Sequence, residues 1–350
     1  MNQEQLEISR MYLNHLNPKT NTSCIIDRII KKDNYDVSVI IPCYNSEKYV
    51  RKAVNSALNQ VTDYRIQIIL IDDGSLDSTG TILDEYGNLE NVVVVHQENK
   101  GHSGARNTGL LYVDARYIFF LDSDDFLLPD CIERLMKAAL DNDADIVEGC
   151  LQRFADDNSI PSMDGYSRDG QSKEAKDHNG FMCGKIYKAE VFDNIAFPEG
   201  YWYEDGIYGY LIASRFTTLY SLDYPVYMYR MNNSGVSASS KGKPKTIDAY
   251  WLREVIFDDM EKLGIGIDQA LYEELLDEIV LTFVRTYEMD INVKTAIFYL
   301  TLSWIKPLHE RLRSGNKFHS VLEKGIELEN YQTYSDGCAI FWNNKIAGGK

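Results

Sequence analysis

Apolar runs alternate with helix-spaced segments over the first third of the chain. The runs are Val37-Ser38-Val39-Ile40-Ile41-Pro42, residues 66–71, residues 92–95, and Ile118-Phe119-Phe120-Leu121. Runs this short and continuous read as strands buried on both faces. Between the first two, Val50, Ala53, Val54, Ala57 and Leu58 keep helical spacing in a helix beginning near Ser46, with Glu47 in its first turn. A second helix is predicted near 78–86 and a third through Leu110, Leu111 and Val113. Alternation of this kind predicts an open, mostly parallel, doubly wound α/β sheet flanked by helices, with right-handed crossovers. Three strand ends then meet on one edge, Tyr44-Asn45, Asp72-Asp73 and Asp122-Ser123-Asp124. That is where such sheets hold nucleotides.

The flanks read differently. Leu6, Ile8, Met11, Tyr12 and Leu16 form an amphipathic helix stopped at Asn17-Pro18, a lead-in over 1–35 expected to pack on a main domain spanning 36–240. From 241 to 350 come consecutive amphipathic helices, marked by Trp251, Leu252, Val255, Ile256 and Met260, then Leu271, Leu275, Ile279, Phe283 and Val284. Such an appended helical region serves acceptor binding, homo-oligomerisation or cover for the sheet. The tail 331–350 shows no trustworthy periodicity.

Composition narrows the class. At 350 residues, with 44% hydrophobic and 25% charged positions, the chain suits one large α/β domain plus an appendage. A net charge of -17 argues against nucleic acid as partner. Six scattered cysteines, without a Cys-x-x-Cys pair, imply neither zinc nor a disulfide scaffold and suit a reducing cytosol. The N-terminus lacks a signal-peptide pattern. The longest apolar window, 295–305, falls short of the ~20 residues a bilayer needs. It reads as a buried helix, or as an interfacial one giving peripheral membrane contact. A cytoplasmic location, extending to the inner face of the membrane, is the expectation.

The fourth apolar run ends in Asp122-Ser123-Asp124-Asp125. Like charges this close repel, and a hard divalent cation such as Mg2+ or Mn2+ is the usual neutraliser. The competing reading makes Asp124 or Asp125 the cap of a helix beginning near Pro129.

An ordered set of motifs extends this picture: Ile41-Pro42-Cys43-Tyr44-Asn45, Asp72-Asp73-Gly74-Ser75, Asn99-x-Gly101-x-Ser103-x-Ala105-Arg106-Asn107-x-Gly109, Leu121-Asp122-Ser123-Asp124-Asp125, Glu204-Asp205, and Tyr229-Arg230 followed by Ser234 and Ser237. In that order, from Val37 to about Ser237, the chain resembles the GT-A glycosyltransferases of family 2, with no departure among the motifs. The resemblance implies a GT-A fold and transfer of a sugar, with inversion, from a nucleotide donor, most often a UDP-sugar, to a hydroxyl of a glycan, lipid-linked glycan or glycoprotein. It implies Asp73 and Tyr44 at the uracil, with Pro42 and Asn45 beside them and Asp72 as a helix-capping partner. Asp124 would be the first metal ligand. Asp122 would hold the donor sugar or the metal through water, Ser123 would lie at the donor, and Asp125 would be a second ligand or a structural acid. Asp205 would be the base, oriented by Glu204 and wrapped in Tyr201, Trp202 and Tyr203.

Three cations complete the expectations. Arg106, in a glycine-punctuated loop entering a helix, can meet donor oxygens or pair with a strand-end aspartate. Arg230, with Ser234 or Ser237, can bind the diphosphate as a loop closes. Lys185 can face phosphate or acceptor, or be a snorkelling helix lysine. A dinucleotide fold is disfavoured, because Gly-x-Gly-x-x-Gly is absent. A sugar-nucleotide nucleotidyltransferase would need a glycine-rich loop after the first strand. The remaining rival is a non-catalytic nucleotide- or glycan-binding subunit that partners an active transferase.

Overall fold

The computed structural model describes residues 3–20, 22–155, 163–164, 170–172, 180–231 and 240–348. The chain divides into two compact units, Thr22–Asn232 and a second made of Met1–Asn21 with Asn233–Lys350. The first helix, α1 (Gln3–Leu16), belongs to the second unit.

In the first unit, β1 (Lys31–Cys43), α2 (Val50–Leu58), β2 (Ile66–Asp72), α3 (Thr79–Asp84), β3 (Val92–His96), α4 (Gly101–Leu111) and β4 (Asp114–Phe120) follow the predicted alternation. They are joined by β5 (Phe126–Leu127), α5 (Cys131–Asn142), β6 (Ile146–Phe154), β7 (Met163–Asp164), β8 (Gly170–Ser172), β9 (Lys185–Lys188) and β10 (Leu219–Arg230). One ten-stranded sheet results, in the order β3-β2-β1-β4-β9-β6-β10-β5, with β7 on β6 and β8 on β10. The β3-β2-β1-β4 half is parallel. Val39, Ile41, Ile68, Leu70, Phe119 and Leu121 lie in one continuous apolar core with the buried faces of α2 and α5.

Register places the site. Cys43 pairs with Asp72, Asp72 with His96, and Ile40 with Phe120, so β1, β2, β3 and β4 end nearly level. Helix α4 is pressed onto β1, because a Cβ at Gly109 would come within 2.4 Å of Ile40 Cγ2. The centre of the sheet differs from the expected parallel order. Strand β9 is inserted antiparallel between β4 and β6, with Ile186 opposite both Phe119 and Val147. Lys185 is therefore a residue of a buried strand and not of a helix. Pro225 sits in β10 where the register with β6 shifts, which suits a residue with no N–H to give a ladder.

The second unit is helical: α1, α6 (Asp248–Lys262), α7 (Gln269–Arg285), α8 (Ile291–His309), α9 (Ser320–Glu327) and α10 (Tyr331–Gly348). The lead-in helix is thus part of the helical unit, where the sequence suggested the main domain. Arg10 makes a two-pronged ion pair with Glu254 at 2.8 Å, and the Trp251 indole donates to Asn17 O at 2.8 Å. Buried Leu13 adds apolar contact. The tail without visible periodicity is helix α10. Its packing rests on glycine: a Cβ at Gly337 would lie 2.3 Å from Leu322 N, and one at Gly325 would lie 2.4 Å from Tyr334 N. Among the described residues no helix is long and apolar enough to cross a membrane.

Candidate active site

At the end of β1, Pro42 is buried opposite Ile71, and Tyr44 follows, 47% exposed as a residue. Asn45 takes a left-handed backbone (φ 46°), a conformation asparagine tolerates. Its N–H donates to Ser75 Oγ at 3.1 Å, and its side-chain oxygen accepts from Leu76 N–H at 2.8 Å. The loops after β1 and β2 are thereby stitched together. Asp73 is buried beneath Tyr44's strand end, and its Oδ1 accepts from the Gln97 amide at 2.7 Å and from Lys100 N–H at 2.8 Å. Asp72 does not cap α3 as expected. It accepts from Ser75 N–H and pairs with His96 at 2.9 Å, while Asp77 accepts from Thr79 N–H.

The centre of the site is Arg106, buried on α4. One of its terminal nitrogens lies 3.2 Å from both Glu204 and Asp205, and the other lies 3.2 Å from Asp122. Its flat face lies 5.5 Å from the Phe120 ring and 5.2 Å from Phe197. The pairing of Arg106 with a strand-end aspartate is thus realised at Asp122, and Glu204 and Asp205 add two partners that the sequence did not suggest. Burial alone would lower its pKa, but the three carboxylates outweigh burial and raise it. Neighbouring Asn107 explains how Glu204 and Asp205 reach this spot. Its amide accepts from Phe197 N–H at 2.7 Å, donates to Phe197 O at 2.9 Å and pairs with Glu199 at 3.0 Å. The chain then turns at Tyr203, held left-handed at φ 67°, so that Glu204 and Asp205 face Arg106. A non-glycine residue held there stores strain of the kind found at functional sites.

Opposing environments separate the acids. Burial would raise Asp122, yet His102 and Arg106 hold it well below the ordinary carboxylate range. Asp205, two-fifths exposed, is pushed up to about 6 by burial of its surroundings and by Glu204, against the pull of Arg106. His102 is a site residue that the sequence reading passed over as an unspecified motif position. Its Nε2 lies 3.3 Å from Asp122 and its Nδ1 3.6 Å from Glu204. Burial and Arg106 depress its pKa, but the two acids win and raise it.

The acidic turn is anchored from β10. Asp122 N–H donates to the hydroxyl of buried Tyr227 at 3.1 Å, a second residue not singled out in the sequence. Arg230 N–H donates to Asp125 Oδ1 at 2.6 Å, and Arg230 Nε donates to Asp124 O at 2.6 Å, with the guanidinium over the Tyr49 and Phe154 rings. Asp125 is buried, and burial with Asp122 and Asp124 nearby pushes it up to about 8. Neither Asp124 nor Asp125 caps α5, whose N-cap position is Asp130. Ser123 and Asp124 are half-buried. Ser234 and Ser237 lie outside the described residues.

Lys185 is remote from these roles. It is fully buried, 3.2 Å from Glu148, and donates to Phe181 O at 2.8 Å, so neither the phosphate-facing nor the snorkelling reading holds. Among the described residues no three His, Cys, Asp or Glu side chains form a metal cage. Asp122 and Asp124 supply oxygen donors, which suits a hard cation that completes its shell with water and substrate phosphates.

Residues 38–196 match the glycosyl transferase family 2 model. GlyG, a glycosyltransferase of Streptococcus pneumoniae, is 30% identical over 299 residues, 75% of this chain and 96% of GlyG. GlyA of the same organism is 29% identical over 262 residues, 69% of this chain and 37% of GlyA. The chain thus spans little more than a third of that longer relative. Among solved structures, residues 1–349 of Staphylococcus aureus TarS, in complex with UDP-GlcNAc, superpose with a TM-score of 0.67 at 18% identity, covering 88% of this chain and 92% of that one. The chain belongs to glycosyltransferase family 2, with a GT-A fold and an appended set of helices.

Proposed function

We propose that the chain transfers a sugar from a UDP-sugar to a hydroxyl of a glycan, lipid-linked glycan or glycoprotein acceptor, with inversion at the anomeric carbon. The observation that carries this reading is Asp205, a carboxyl pushed up to about 6, at the surface beside Arg106 and Asp122. A general base works best with a pKa near the working pH. Asp205 takes the acceptor's proton as the hydroxyl oxygen attacks the anomeric carbon. The bond to the UDP oxygen breaks on the opposite side, and its electron pair leaves with UDP. Arg106 holds Asp205, Glu204 and Asp122 together around one guanidinium. The exposed Tyr44 residue and Asp73 suit the uracil, and the half-buried aromatics Trp202 and Tyr203, which immediately precede Glu204-Asp205, are of the kind that stack on sugars. The UDP-GlcNAc complex of TarS supports the donor class. When bound by Asp124 and Asp122, Mg2+ or Mn2+ supplies positive charge against that growing on the diphosphate.

The variant Asp205→Asn tests the base. It is expected to lose transfer by roughly 10²-fold or more, while UDP affinity stays at the wild-type level. In the wild type, kcat/KM should fall as pH drops through about 6, because the raised pKa protonates the base earlier than an ordinary carboxyl. Undiminished transfer by Asp205→Asn would remove it from that role.

A further inference from the structure

The imidazole of His102 stands between the two acidic segments of the site. It is the second residue of α4, its side chain is 40% exposed, and it stands between Asp122 at 3.3 Å and Glu204 at 3.6 Å. Asp205, the adjoining residue, shares Arg106 with both acids. A sugar held at Asp122, with its anomeric carbon presented toward an acceptor at Asp205, must cross the gap between the two acidic segments. His102 spans that gap. Its neighbours leave it little freedom: Arg106, one turn on along α4, is buried and fixed by three carboxylates. With its two nitrogens turned to Asp122 and Glu204, a ring placed so would present its flat, partly exposed surface to one face of the sugar, against whichever substituent points at α4.

We propose that His102 is a specificity-determining residue that forms one wall of the donor-sugar subsite and discriminates among UDP-sugars by the substituent facing α4. This rests on the UDP-sugar reading given above. A wall whose nitrogens are turned to neighbouring acids discriminates chiefly by shape, where one extra or missing substituent is worth roughly 10-fold or more. The sugar's share of binding, and not the nucleotide's, is therefore what His102 controls.

The test is calorimetric titration of UDP, UDP-glucose, UDP-galactose, UDP-GlcNAc and UDP-GalNAc, with Mn2+, into the full chain and its His102→Ala and His102→Asn variants. The readout is the ratio of Kd for UDP to Kd for each UDP-sugar, which removes the nucleotide's contribution. Wild type should rank the four sugars. His102→Ala should compress or reorder that ranking by roughly 10-fold, with Kd for UDP unchanged, and His102→Asn should fall between. Should His102→Ala fail to fold, judged by its melting curve, His102→Asn alone decides. Wild-type ratios in a folded variant would overturn the inference and leave the donor reading intact. A wild type that binds no UDP would instead overturn the donor reading, and the inference with it.

Discussion

Arg106 holds together three carboxylates that would otherwise repel one another, one from a segment 16 residues along the chain and two from a segment 98 and 99 residues along. Removing one member of a buried charge cluster leaves the others uncompensated, at a cost of about 3–5 kcal/mol. Arg106→Met should lower stability by that amount in denaturant unfolding. Without the guanidinium the folded-state carboxyl pKa values rise above their unfolded values, so the loss should deepen as pH rises through them. A variant as stable as wild type at pH 8 would show that the cluster is not under repulsion. In the sequence both readings of Arg106 were visible, but not the choice between them, because no local pattern reports a partner 98 residues away. His102 was invisible for a related reason. A lone histidine at a helix start carries no periodicity, and its significance comes only from the two acids that the fold brings to it. Lys185 misled because Gly184-Lys185-Ile186-Tyr187 is too short to show a period, and full burial of a lysine needs Glu148, supplied by another strand.

At the scale of elements, the first four strands and their helices were legible because each carries its own apolar run and all end level. The antiparallel strand β9 was not, since four residues inserted between β4 and β6 are specified by their neighbours and not by their own pattern. The last helix failed for another reason. Helix α10 is packed backbone to backbone against α9 through Gly337 and Gly325, so glycine replaces the large apolar residues that periodicity detects. Gly337→Ala would drive a methyl to 2.3 Å from Leu322 N, where backbone must move. The expected cost is about 1–3 kcal/mol, read as a lowered melting temperature. An unchanged or raised melting temperature would show that the two helices separate freely.

The whole molecule carries a net charge of -17, so the proposed diphosphate donor needs local positive charge at the site, which a bound cation would supply. The motif order gave the family and the GT-A fold from sequence, because each motif sits at a strand end or loop where the chemistry is local. Donor sugar, acceptor and the role of the helical unit were not legible, since they depend on contacts made by loops and helices with no motif of their own. The most direct measurement is calorimetric titration of UDP, GDP, TDP and CMP into the chain and into Asp124→Asn, with and without Mn2+. Binding of UDP alone, dependent on Mn2+ and lost in Asp124→Asn, is the predicted result. A wild-type chain that binds none of the four nucleotides, with or without Mn2+, would contradict it.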